Sequence, residues 1–362
     1  PVCYIFPTLF FLHFNKLIHY TYYQFDLIRD LIMAESDWNR PESPFHKGEQ
    51  ALQKLYGVKD QMESFARGVI RHYIPMQHRE FYAQLPLLNI GTLDDKGRVW
   101  SSVVTGQPGF LSSTDTDGKT LRVNSKRLPG DPLNETLVNG GYIGVLGLEL
   151  HTRRRNRMSG RINDVSADGF NIDCIQSFGN CRQFIQARQF TYDEQLPREN
   201  PTVERGNTFS DKAKALIRKA DTLIIATVYG DEQNDEQGDP THGADVSHRG
   251  GKPGFVRVDS DTKITWPDFR GNFHFNTLGN LVLNPAAGLM FIDYEKGDVL
   301  YITGKAQIIW DSPEIKTFDG AERLMEFNLD EAIFVEGSLP LSYRFDSYSP
   351  SIRRTGVWEE NK

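Results

Sequence analysis

The feature that most constrains this chain is that it repeats itself. Ser102-Val-Val-Thr-Gly-Gln-Pro-Gly-Phe110 and Ser247-His-Arg-Gly-Gly-Lys-Pro-Gly-Phe255 share a serine, a glycine and a closing Pro-Gly-Phe. Ser102 and Ser247 lie 145 residues apart, as do Gly106 and Gly251. An apolar strand precedes each block, at 87–92 and 223–227. After the blocks, Gly130 matches Gly271, Thr136-Leu137 matches Thr277-Leu278, and Asn139 matches Asn280, all at offset 141. Gly144 then matches Gly288, and Gly160 matches Gly304, at offset 144. Matched blocks in one order, with length changes confined to the gaps, are what a duplicated domain with variable loops leaves behind. The reading divides the chain into an N-terminal extension over 1–44, a first repeat over 45–200 and a second over 205–362. The linker falls near 199–207, where Asn-Pro-Thr and Arg-Gly-Asn break the pattern. A length of 362 residues accommodates two such domains at about 150 residues each.

Local signals give each repeat its character. The short apolar, β-branched run over 222–227 predicts a buried strand. Residues 288–294 and 298–310 predict two strands joined by a hairpin turn at Glu295-Lys-Gly-Asp298, with first-half counterparts at 144–150 and through Arg161. Ser210 can cap a helix over 210–219, with Asp211 in its first turn and Arg218 and Lys219 in its last. Helices are also expected over 49–56, 60–72 and 276–283, the last stopped by Asn284-Pro285. His78-Arg79-Glu80-Phe81-Tyr82 reads as a helix capping the first barrel, or as part of a pocket mouth. Strands broken by short helices predict a mostly β protein with one small barrel per repeat.

Composition excludes several functions. Net charge is -7 and the sequence pI about 5.8, so no overall pull toward nucleic acid is expected. Three cysteines are too few for a disulfide scaffold and suit a reducing cytoplasm. Cys174 and Cys181 form a lone pair without metal-site spacing, so no metal is expected. Residues 1–32 are rich in aromatic and aliphatic side chains, but their longest apolar stretch, at 9–12, falls far short of the ~20 residues of a membrane span. They lack the marks of a signal peptide. With Met33-Ala-Glu-Ser following, they read as sequence upstream of a natural start, or as an interfacial docking segment. No nucleophile elbow, phosphate-loop lysine motif or dinucleotide fingerprint occurs.

The second repeat carries a resemblance. Ala226-Thr227 ends a strand, and the block from Asp245 to Phe255 follows. Then come Trp266-Pro-Asp-Phe-Arg-Gly-Asn272, the run from Asn276 to Pro285, Gly288-Leu-Met-Phe-Ile292, and a strand ending Thr303-Gly304. In this order the blocks resemble the FMN-binding split barrels of the pyridoxamine 5'-phosphate oxidase superfamily, over roughly Phe45 to the C terminus. The resemblance implies tandem FMN-binding split β-barrels with FMN as cofactor. It implies sites built between two barrels, which pair within one chain or in a homodimer. It implies an oxidoreductase passing hydride or electrons between a reduced nicotinamide and a small acceptor; the alternative is a non-catalytic flavin- or haem-binding module of the same fold. One departure matters. The oxidase places Arg and Lys around the short helix, where this chain has Asn276 and Thr277. Pyridoxamine phosphate is therefore not expected as the substrate.

FMN asks for donors and a cation at its phosphate, an apolar wall at its ring, and positioned groups at its N5 and carbonyls. Ser247, His248 and Arg249 offer a hydroxyl, an imidazole and a guanidinium, with Ser247 and Arg249 on one strand face and His248 on the other. Asn272, His274, Asn276 and Thr277 lie where a turn enters a helix, with Asn280 one turn on; Asn272 or Asn276 could equally be a helix cap. Trp266 and Phe273 could wall the ring or be plain core. The first repeat keeps Ser102 but has Val103, Val104 and Asp131 in place of His248, Arg249 and Asn272, so the second is expected to hold the phosphate. It adds a stripe of its own: Arg153, Arg155, Arg157 and Arg161 fall on one strand face at period two. That stripe is either solvated or borders an anionic cofactor or substrate. Gln176-Ser-Phe-Gly-Asn-Cys181 resembles a segment of related duplicated proteins, and its Cys181 reads first as a structural thiol.

Overall fold

The computed structural model describes residues 38–113, 115–197, 200–230 and 239–358. Most of the N-terminal extension, with Cys3 and Met33, lies outside them. Three helices come first: α1 (Lys47–Leu55), α2 (Lys59–Val69) and α3 (Met76–Ala83). Their apolar residues recur at helical spacing, so each buries one face: Leu52 from α1, Met62 and Ala66 from α2, Phe81 and Tyr82 from α3. The helix expected over 60–72 stops at Val69 because Ile70 turns extended.

Seven strands follow: β1 (Leu87–Leu93), β2 (Val99–Thr105), β3 (Leu111–Ser112), β4 (Thr120–Val123), β5 (Tyr142–Glu149), β6 (Arg154–Ser166) and β7 (Gly169–Gly179). A short helix, α4 (Leu133–Thr136), sits between β4 and β5. Two further strands, β8 (Ala187–Tyr192) and β9 (Val203–Gly206), connect the halves. The second half then repeats the plan. Helix α5 (Asp211–Lys219) is capped by Ser210, whose hydroxyl accepts from Ala213 N. After it come β10 (Thr222–Tyr229), β11 (Gly243–Gly250), β12 (Arg257–Val258), β13 (Lys263–Phe269), helix α6 (Asn276–Leu281), β14 (Ala286–Ile292), β15 (Val299–Ile309) and β16 (Ala321–Val335), with β17 (Leu341–Ser347) last.

The duplication is visible in the sheets. The first is ordered β2-β1-β5-β6-β7-β4-β3 and the second β11-β10-β14-β15-β16-β13-β12, the same antiparallel path. One irregularity matches too: the ladder slips at Ser159/Gly160 in one sheet and at Thr303/Gly304 in the other, 144 residues on. The protein is thus mostly β, built as tandem split β-barrels. Within the stretch read as a linker, Val203–Gly206 forms a strand that pairs with β16, and β8 before it pairs with β17.

The two barrels pack within one chain. Their shared core joins Val99, Trp100, Val103, Tyr142 and Leu146 to Ala226, Ala244, Val246, Met290 and Tyr301. Backbones meet there without room for a side chain. A Cβ on Gly288 would lie 2.6 Å from Ser101 N and Val99 O, and one on Gly144 would collide with the backbone of Ala244 and Asp245. Thr303 reinforces the seam by donating to Val99 O at 2.7 Å. The N-terminal helices also cross over: α1 lies against α6 so closely that Gly48 and Gly279 meet backbone to backbone.

Candidate functional site

Where β6 and the loop after β7 (Asn180, Cys181, Gln183 and Phe184) of the first half face β11, β13 and α6 of the second, an open cleft forms. Its charged lining is Arg155, Arg157, Arg249, Arg270 and Arg323 against Asp268 and Glu322. Five guanidiniums against two carboxylates make it electropositive in a chain of net charge -7.

Arg157 is the centre of its inner end. On β6 it stands opposite Leu146, and only 5 % of it is exposed. It reaches across to the second barrel, where Nη1 donates to Asp245 at 2.9 Å and to Asn276 Oδ1 at 2.8 Å, and Nη2 donates to Ser247 Oγ. Ser247 and Thr277 share a hydrogen bond of 2.6 Å, and both hydroxyls also lie near Asp245. Asn276 Nδ2 donates to Glu49 Oε1 on α1. Neither expected asparagine caps α6, whose N-cap is Phe275 in a left-handed conformation.

Arg155 stands two residues away on the same face. Its Nε donates to the carbonyl of Cys181, and no carboxylate among the described residues pairs with it. Burial, then the neighbouring Arg157, pushes its pKa down to about 9. Two residues along β11 from Ser247, Arg249 Nε lies 3.2 Å from Asp268. Asp268 is held mainly by Arg323, at 2.9 Å, which also donates to Tyr56 Oη. His248 is 3 % exposed, and its ring nitrogens find no partner beyond its own backbone. Burial, together with Arg155, Arg249 and Arg188, holds it neutral, far below the usual imidazole range. The wall is aromatic: Phe184 of the first half stacks on Phe269 of the second at 5.0 Å, and Phe273 and Phe275 continue it. Asn272 bridges the halves by donating to Asn180 at 3.0 Å.

Ser247, His248, Arg249, Asn272, Phe273, Asn276, Thr277, Arg155 and Arg157 therefore converge on one cleft. Five expected contributors stand elsewhere. Trp266 is wholly buried in the second barrel's core, because its strand turns that position inward. His274 is packed among Phe45, Phe65 and Phe178, and burial takes its pKa down to about 3. Asn280 is buried and donates to Thr227 at 2.9 Å. Arg153 precedes β6 in a left-handed turn (φ 61°) and binds Ile185 O and Ser347. Arg161 lies over the Tyr142 ring, so the expected stripe divides: only its middle two arginines enter the cleft. Glu49, Asn180, Phe184, Asp268 and Arg323 were not expected.

The first barrel's counterpart corner is closed. Tyr301, 144 residues after Arg157 and opposite Met290 as Arg157 is opposite Leu146, enters it in Arg157's place. There Asp131 accepts from Val103 N and Leu133 N, with Ser102 and Tyr301 beside it, and burial raises its pKa to about 6. A tyrosine over a buried carboxyl leaves no place for an anion.

No protein-family model and no curated protein matches the sequence. Among solved structures, HupZ of Group A Streptococcus aligns at 16 % identity and TM-score 0.27 over 36 % of this chain and 95 % of that one. A protein assigned as a pyridoxamine 5'-phosphate oxidase from Lactobacillus delbrueckii aligns at 14 %, TM-score 0.26, over 35 % and 94 %. An FAD-binding protein from Mesorhizobium loti aligns at 10 %, TM-score 0.24, over 38 % and 99 %. Each match spans about one barrel's share of the chain. Scores this low carry no argument about chemistry, which rests on the cleft itself. Among the described residues, no helix is long and apolar enough to cross a membrane, and no cluster of three or more His, Cys, Asp or Glu could hold a metal.

Proposed function

We propose that the cleft binds FMN, and that the chain is an FMN-dependent oxidoreductase acting between a reduced nicotinamide and a small acceptor. The observation that carries the reading is Arg155: a half-buried guanidinium whose hydrogen-bond acceptor among the described residues is a backbone carbonyl and whose nearest charged neighbour is another arginine. A phosphate would supply the counter-charge that burial withholds. Ser247, Thr277 and Asn276 line the same cleft, held in a network with Asp245, Arg157 and Glu49 that an anion would rearrange. The residues fit the group in a second respect, since the Phe184–Phe269 stack and Phe273 offer an apolar wall to a planar ring. Bound FMN would supply two-electron chemistry at its ring, and the protein's share is to bind, orient and tune it. The non-catalytic flavin or haem alternative has one observation on its side, the unpartnered neutral ring of His248 facing the cleft.

Fluorescence titration with FMN tests the assignment. Arg155→Ala is expected to weaken binding by about tenfold or more, the loss of one charge-assisted contact. Arg249→Ala should cost less, because Arg249 must first leave Asp268. Arg153→Ala, outside the cleft, should leave affinity unchanged. Equal affinity in wild type and Arg155→Ala would remove the anion locus from this site.

A further inference from the structure

We propose that Glu49 is a proton-operated charge in a clasp that ties helix α1 to the α6 corner presenting Asn276 and Arg157: uncharged, it leaves the positive charge of the cleft intact, and on losing its proton it weakens the hold of the cleft on an anion. This rests on reading the cleft as an anion site.

The clasp is a chain of side chains across three parts of the molecule. Glu49 is 4 % exposed. Its Oε2 accepts from His46 N at 2.9 Å and its Oε1 from Asn276 Nδ2 at 2.5 Å. Asn276 Oδ1 in turn accepts from Arg157 Nη1 at 2.8 Å. N-terminal helix, second barrel and first barrel are thus joined in sequence. Helix α6 packs closely over Glu49: a Cβ on Gly279 would lie 2.6 Å from Glu49 Cγ.

The charges around Glu49 do not neutralise it. From its own helix and cap come Lys47 and His46, from β6 Arg157, and from β11 Asp245; Asp239 and His242 stand beyond His46. His46 is uncharged: burial takes its pKa down to about 4, and its Nδ1 accepts from Gly48 N. Arg157 is already paired with Asp245. Burial therefore outweighs the two hydrogen bonds and pushes Glu49 up to about 8, from 4.5. A carboxyl raised in this way binds its proton more tightly in the folded state than in the unfolded one. The stability it contributes is complete below about pH 4.5 and is lost as pH rises through about 8. Over the upper part of that range, a new negative charge appears beside Asn276 and within reach of any anion on Arg157.

The test compares the full chain with Glu49→Gln between pH 7 and pH 9, where the FMN phosphate is already doubly ionised. Two quantities are read at each pH: the Kd for FMN and the midpoint of thermal unfolding. Arg155, with a pKa of about 9, loses charge in both proteins over this range, so the difference is what counts: the wild-type Kd should rise several-fold more than that of Glu49→Gln. The wild-type midpoint should fall relative to the variant over the same interval. Parallel Kd profiles overturn the proposal. If wild type binds no FMN at any pH, the flavin reading fails, and the clasp is then judged on unfolding: diverging midpoints uphold it and parallel midpoints overturn it. If Glu49→Gln does not fold, the wild-type midpoint alone decides, since it must decline from pH 7 to pH 9.

Discussion

Gly288→Val is expected to be the most damaging single substitution away from the cleft. Valine's Cβ would sit 2.6 Å from Ser101 N, Trp100 Cα and Val99 O. These are backbone atoms of a fully buried strand, so no rotamer change relieves the overlap. Overpacking of this kind costs about 3 kcal/mol or more, and here it falls on the seam between the barrels. Thermal unfolding should begin roughly 5–10 °C lower. Gly144→Val should do the same from the other side, against Ala244 and Asp245. Gly57→Val, whose Cβ would meet nothing within 4 Å, isolates the cost of a positive φ (69°) from that of the seam. A Gly288→Val protein that unfolds with the wild-type midpoint would show that the barrels do not meet as described.

Arg157→Ala should strike stability and binding together. It removes the cation that pairs with Asp245 and the donor that holds Asn276 and Ser247 in place. Breaking a buried pair from one side leaves the other charge uncompensated, at about 3–5 kcal/mol. Asp245 keeps 18 % of its side chain exposed, so the lower end applies. FMN affinity should fall by about a hundredfold, because the phosphate locus loses a charge and its ordered donors at once. Arg157→Lys keeps the charge but not the fork, and should recover stability better than affinity. Urea unfolding and FMN titration on the same preparations separate the two effects. Wild-type affinity in Arg157→Ala would move the phosphate away from this corner.

Much of the architecture was legible in the residues. Gly144 and Gly288 matched by offset alone, and both prove to be the close-approach points of the seam. Gly160 and Gly304 matched likewise, and both mark ladder slips. Short-range patterns of strand and turn recur with the duplication, so they can be read from one sequence. The inequality of the copies was legible too, in Val103 and Asp131 against His248 and Asn272. What could not be read was which side chains meet across the seam. Arg155 and Arg157 looked like half of a four-arginine stripe, because periodicity does not reveal that Arg153 precedes the strand in a left-handed turn. Trp266 carried a block of the resemblance yet belongs to the core. Glu49 gave no signal, since its role depends on an N-terminal helix that crosses to α6, 227 residues away in the chain.

The central claim is that the cleft is an FMN site made jointly by two unequal barrels of one chain. The most direct measurement is the absorbance spectrum of the purified protein, before and after incubation with FMN and removal of the excess. The account predicts retained flavin absorbance, at one FMN per chain because the counterpart corner is filled by Tyr301, and bleaching on addition of a reduced nicotinamide. A colourless protein that takes up no FMN would contradict it, and a Soret band on addition of haem in place of flavin uptake would assign the same cleft to the alternative.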